Sequence, residues 1–170
     1  MIYCGIDGST TSTGIGVFDD ETLLFYDCIR PKSKDWQVRL GMLTNELDKI
    51  FSDYPIEVAY VEDVPLKDGK LTIKKLSAVR GVFIALCALH NIKIDAESVS
   101  SWRNNADFYG GTKDDLKRDK MKKKAIEEVK SLFDIDVNDD IAEGILIGYR
   151  TRYPKEIKTF GRKSKTKKGV

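Results

Sequence analysis

Residues 2–19 read IYCGIDGSTTSTGIGVFD, and the way this stretch divides decides the fold. A short apolar run ends in Asp7, a turn of Gly, Ser and Thr follows, and a second apolar run ends in Asp19. Short apolar runs bounded by turn residues signal strands, here residues 2–7 and 14–19. Asp19-Asp20-Glu21-Thr22 is a polar turn, and alternation over residues 22–30 makes a third strand. Three strands joined by short polar turns give an antiparallel meander.

Beyond the meander the period changes. Leu40, Leu43, Leu47 and Ile50/Phe51 recur at helical spacing and predict a helix over residues 35–52. Val58-Ala59-Tyr60-Val61 is a continuous apolar run, the pattern of a strand buried on both faces. Leu76, Val79, Phe83 and Leu86 place a helix over residues 72–90, and residues 92–94 form a short fifth strand. Met121, Ala125, Val129 and Leu132 run through a Lys-rich helix over residues 116–133, and a last helix covers residues 139–153. A hairpin-led sheet extended by helical crossovers is a mixed sheet, three antiparallel strands continued by parallel ones, flanked by helices. There is no internal repeat. Residues 63–69, 104–112 and those after 153 read as mobile segments. One domain is expected over residues 1–153, with a basic, flexible tail over residues 154–170.

Composition narrows the function classes. Hydrophobic residues make up 41% and charged residues 33% of 170, a globular balance. No apolar run approaches the ~20 residues that span a bilayer, and the first residues lack the basic start and cleavage site of a secretory signal. Cys4, Cys28 and Cys87 form no metal-binding spacing and read as buried, reduced thiols of a cytoplasmic protein. The net charge of +2 is unevenly spread: residues 150–170 hold nine Lys/Arg against Glu156, or +8, leaving −6 on residues 1–149. A second cluster, Lys113, Lys117, Arg118, Lys120, Lys122, Lys123 and Lys124, is interrupted by Asp114, Asp115 and Asp119. An acidic body with basic appendages suits a polyanionic partner, although a Lys-rich tail also serves solubility.

The candidate chemistry lies in four acids at element ends. Asp7 closes the first strand, Glu62 closes the buried strand, and Asp140 and Glu143 stand three residues apart on one face of the last helix. Each has an ordinary alternative. Asp7 can cap its turn, Glu62 can be a solvated strand end, and acids near a helix start favour the helix dipole. If the strands are neighbours and the helix crosses their ends, all four converge. So many carboxylates repel or become protonated unless cations intervene, and a pair of Mg²⁺ or Mn²⁺ ions suits oxygen ligands.

In this order, GIDGSTTSTGIGVFD (residues 5–19), AYVEDV (59–64), AVRGVFIALCALHNIKI (78–94) and DDIAEGILIGY (139–149) resemble the successive motifs of RuvC-type Holliday-junction resolvases. The resemblance implies an RNase H-like fold and a homodimer with the helix around residues 71–90 at its interface. It implies two divalent ions held by Asp7, Glu62, Asp140 and Glu143. It also implies metal-dependent paired nicking of four-way junctions and other branched DNA. Lys120 opens the helix where the family places a lysine near the scissile phosphate, with Lys122 and Lys123 close by in register. Arg103 lies where another basic residue of the family sits. Lys113, Lys117, Arg118, Lys122, Lys123 and Lys124 are candidates for backbone-phosphate contact.

The chain also departs from the family. Glu143 stands where the bacterial enzymes usually carry aspartate. Asp63-Val64-Pro65-Leu66 lacks the aromatic residue that cellular enzymes insert into the junction, leaving Leu66 as a weaker wedge. These departures and the basic tail resemble the bacteriophage-encoded branch and imply relaxed sequence preference. His90, the one histidine, is given no catalytic role. Two alternatives remain at this point: a non-catalytic branched-DNA-binding protein on the same fold, and an actin-like phosphotransferase. The second is suggested by the loop at residues 7–14 but lacks a second lobe and a second phosphate loop.

Overall fold

The structure, a computed structural model, describes residues 1–64, 69–109 and 112–155. The expected wedge at Leu66 and the basic segment after residue 155 lie outside the described residues. The meander forms as expected, from β1 (Ile2–Asp7), β2 (Thr13–Asp19) and β3 (Thr22–Ile29). Crossover helices α1 (Trp36–Asp53) and α2 (Lys70–Leu89) then deliver β4 (Val58–Glu62) and β5 (Lys93–Glu97). The sheet order is β3-β2-β1-β4-β5, antiparallel through β1 and parallel from β1 to β5.

Strand periodicity sorts the side chains into two cores. Cys4, Ile6, Ile15, Val17, Ala59 and Val61 face α1 and α2, meeting Leu43, Leu47, Val79 and Phe83. Tyr3, Phe18 and Tyr60 point the other way, into a layer built by α3 (Val99–Asn105), α4 (Arg118–Phe133) and α5 (Asp139–Arg152). With a period of two, Asp7 and Glu62 fall on this second face at the C-terminal ends of their strands.

Two readings of the sequence are corrected here. Residues 104–112 read as mobile from the sequence; 110 and 111 lie outside the described residues, and among the others α3 runs to Asn105 while Ala106 and Phe108 are buried beside Trp102. Lys124 Nζ donates to the Phe108 carbonyl at 2.8 Å and ties the segment to α4. At seven residues, α3 is too short to show periodicity; its local mark is Ser98, whose side chain accepts from Ser101 N–H. The Lys-rich helix also does not start at residue 116. A 3-10 turn over Lys113–Leu116 comes first, capped by reciprocal bonds between Thr112 and Asp115, and α4 begins at Arg118.

The position of α5 is set by glycines. A Cβ on Gly14 would lie 1.8 Å from the Asp140 carbonyl oxygen, and one on Gly144 would lie 2.5 Å from Gly14 backbone atoms. A Cβ on Gly5 would lie 2.2 Å from Gly148 N. Backbone meets backbone here, and helix and strands approach as closely as they do only because neither side carries a side chain. The helix is consequently almost wholly enclosed, with Ala142, Ile145, Leu146 and Ile147 all 0% exposed.

Gly144→Ala should therefore cost about 1–3 kcal/mol of stability, because the obstructing atoms are backbone. Gly41→Ala, inside α1 with nothing within 4 Å of its Cβ, should instead add about 0.5–1 kcal/mol. Urea unfolding of the two variants beside the unaltered protein checks both signs.

Candidate active site

The sheet register brings the first two acids together. Ile6 pairs with Val61 across the parallel β1–β4 ladder, so Asp7 and Glu62 follow side by side at the strand ends. Asp7 also pairs with Gly14, the residue on which α5 rests. Asn138 caps α5 by accepting from Ile141 N–H, which starts the helix at Asp139 and turns Asp140 and Glu143 toward the strand ends. All four acids line one cleft of about 550 Å³, together with Ser9, Ser12, Arg103, Arg118 and Lys122.

Three of the acids already have partners. Ser12 Oγ donates to Asp140 Oδ2, which also accepts from Arg30 Nη2 at 3.1 Å. Cys28 Sγ stands 3.1 Å from Ser12 Oγ and 3.8 Å from Asp140 Oδ2, so this thiol is half-buried at the edge of the site, unlike the buried Cys4 and Cys87. Trp102 Nε1 donates to Glu62 Oε1 at 2.9 Å, and Arg103 Nη2 donates to Glu143 Oε1 at 2.8 Å. Among the described residues no hydrogen-bond donor reaches the Asp7 carboxylate. Burial, followed by the charges of Glu62, Glu143 and Asp140, pushes its pKa well above the usual carboxylate range, against a smaller opposing effect of Arg103. Burial also raises Glu62, opposed by the Trp102 hydrogen bond and Arg103.

This donor set is all oxygen and its charges are in excess, which is the chemistry a hard divalent cation satisfies. Among the described residues no three His, Cys, Asp or Glu side chains are drawn together closely enough to hold an ion between them. The internal donors Ser12, Arg30, Trp102 and Arg103 take up part of the negative charge instead.

The basic residues divide by helical phase. Lys122 lines the cleft, ion-paired with Asp139, whose pKa that pair lowers, and Arg118 lines the cleft one turn earlier. Lys120 does not line it. Two residues away from Lys122 on α4, it is turned by about 200° and pairs with Asp114 and Asp115. The other candidates also lie outside the cleft. Lys117 pairs with Asp114 at 2.6 Å and Lys123 with Glu127 at 3.6 Å, Lys124 holds the Phe108 carbonyl, and Lys113 sits exposed on the 3-10 turn. His90 caps the far end of α2 and meets Asp48 at 2.7 Å, away from the acids. Sequence reasoning missed Ser12, Cys28, Arg30 and Trp102 as site residues; nothing local marks them, because their partners lie 40 to 128 residues away.

The raised carboxyls fix the sign of a pH effect. A group that holds its proton more tightly folded than unfolded favours folding at low pH, and that contribution is lost as pH rises through the raised folded value. In EDTA the protein should lose stability from the ordinary carboxylate range upward. Asp7→Asn should flatten this dependence and raise Tm at pH 8. Thermal melts from pH 5 to 8 check it.

Comparison with known proteins establishes the family. The family model "Crossover junction endodeoxyribonuclease RuvC" matches residues 3–143. A RuvC from Nitratidesulfovibrio vulgaris is 36% identical over 94 residues, covering 53% of this chain and 57% of that protein, so the match spans just over half the relative's length. A RuvC from Rickettsia akari is 27% identical over 157 residues, covering 88% of this chain and 95% of the relative. Among solved structures, T. thermophilus RuvC in complex with Holliday junction substrate superposes with a TM-score of 0.74 at 14% identity, covering 90% of this chain and 94% of that one. With a family model matched across most of its length, the chain belongs to the RuvC family of crossover junction endodeoxyribonucleases.

Proposed function

We propose that the protein is a divalent-metal-dependent endonuclease that resolves four-way junctions and other branched DNA by paired nicking, with relaxed sequence preference. The observation that carries this reading is the convergence of Asp7, Glu62, Asp140 and Glu143, from β1, β4 and α5, in one cleft flanked by Arg103, Arg118 and Lys122. The RuvC of the same fold bound to Holliday junction substrate supports branched DNA as the substrate class.

In this reading the four carboxylates hold two Mg²⁺ or Mn²⁺ ions. Such ions supply Lewis-acid activation of the attacking water and offset charge on the leaving 3′ oxygen. The protein's own residues do the rest. Arg118 and Lys122, on one face of α4, draw a backbone phosphate to the mouth of the cleft. Lys122 then supplies fixed positive charge beside a phosphorus centre that gains negative charge. Arg103 exchanges Glu143 for the phosphate once the acids have cations to neutralise them. Lys120, turned away from the cleft, is not the catalytic lysine; Lys122 takes that role. Lys113, Lys117 and Lys123 contact DNA further out, so binding weakens steeply with salt.

A four-way junction has two-fold symmetry, and two cuts call for two sites related the same way. A homodimer through α2, which exposes Leu71, Ile84 and Leu89, supplies them. Among the described residues no helix is long and apolar enough to cross a membrane, and the proposed place of action is the cytoplasm. Residues 1–153 form the nuclease domain of this reading, and residues 154–170 form a basic extension that adds phosphate contacts.

A labelled immobile four-way junction and a matched linear duplex, incubated with Mg²⁺, Mn²⁺ or EDTA, test the reading. Paired, metal-dependent nicks on the junction alone are expected, lost in Asp7→Asn while binding persists. Junction binding without cleavage under any metal would leave a structural DNA-binding protein. Single-turnover cleavage by Lys122→Ala should fall by about 10²-fold, while Lys120→Ala should stay within about threefold of the unaltered protein.

A further inference from the structure

Trp102 is an unusual neighbour for a carboxylate that is to bind a cation. Its side chain is only 1% exposed, and it is the one large residue that the seven-residue helix α3 inserts into the core. A buried indole normally satisfies its single N–H on whatever acceptor is near. Here the acceptor is one named oxygen of an active-site acid, Glu62 Oε1 at 2.9 Å. The ring is fixed from its other sides. It packs edge-on against Phe108 at 6.0 Å between centroids, and the Arg103 guanidinium lies over it at 5.1 Å. Arg103 in turn bonds Glu143, so two consecutive residues of α3 each grip a different acid, one on β4 and one on α5.

From this geometry we infer that Trp102 is a positioning residue for the metal site: its N–H fixes the Glu62 carboxylate by one oxygen and so sets the orientation in which Glu62 meets a cation. The inference rests on the proposed metal-binding role of the four acids. The hydrogen bond is compatible with that role, since a carboxylate oxygen has more than one lone pair and a ligating carboxylate is ordinarily oriented by a second hydrogen-bonding group. Mere filling of space would need the ring but not its N–H, and this difference makes the two roles separable. The seating of Arg103 over the ring depends on the aromatic face alone, so it survives replacement by phenylalanine.

The test uses Mn²⁺ and Mg²⁺ alone as probes, on the full chain without DNA. Trp102→Phe keeps an aromatic core residue and deletes the donor. Calorimetric titration should show divalent-ion affinity falling by about 10–100-fold, while circular dichroism and the distribution of exchange-protected amides stay those of the unaltered protein. A second measurement needs no core substitution. In the unaltered protein, the Trp102 indole N–H resonance, assigned by comparison with Trp36→Phe, should shift during Mg²⁺ titration with the same midpoint as the calorimetric binding. An indole resonance indifferent to Mg²⁺, or equal affinity in Trp102→Phe, overturns the positioning role while leaving the metal site standing. Failure of the unaltered protein to bind either ion removes the metal site, and the inference with it.

Discussion

The contact between α5 and the two strands beneath it is the constraint on which the site depends. Gly14 and Gly144 on one side, and Gly5 and Gly148 on the other, let helix and strand backbones meet without intervening side chains. Asp140 and Glu143 ride on that helix, and Asp7 ends the strand it rests on. A methyl group at any of these glycines would push α5 outward and carry two acids away from the other two. Small residues that look like flexibility in the sequence act here as a fixed spacer between sheet and helix.

That closeness has an electrostatic consequence. Asp7 is left between Glu62, Glu143 and Asp140 with Arg103 as the opposing charge, so the fold tolerates a cluster that disfavours it. The surrounding donors limit the damage. Ser12 and Arg30 hold Asp140, Trp102 holds Glu62, and Arg103 holds Glu143. Each of these groups neutralises or orients one acid, and in the proposed reading each acid keeps a lone pair for a cation. The cluster is thus destabilising by itself and stabilised piecemeal, the trade between stability and function expected of the proposed site.

Much of this was legible from residues in order. The meander followed from two apolar runs around the turn after Asp7, and the convergence of the acids followed from strand ends and an i, i+3 pair. What stayed hidden has physical reasons. Helix α3 is held by Trp102, Ala106 and Phe108 entering the second core, a tertiary effect that a seven-residue segment cannot announce through periodicity. Which of Lys120 and Lys122 lines the cleft turns on helical phase, and phase is known only when Met121, Ala125 and Val129 are seen to form the buried face of α4, with Lys122 beside it and Lys120 turned away. The partners of Asp140 lie more than a hundred residues upstream, on the turn before β2 and at the end of β3.

The central claim is that Asp7, Glu62, Asp140 and Glu143 together form a divalent-cation site. Crystals grown in Mn²⁺, measured at the manganese absorption edge, test it most directly. Two anomalous peaks are expected inside the cleft bounded by these four carboxylates, with Arg103 displaced from Glu143. Manganese bound elsewhere, with the cleft empty and the Arg103–Glu143 pair intact, would contradict it.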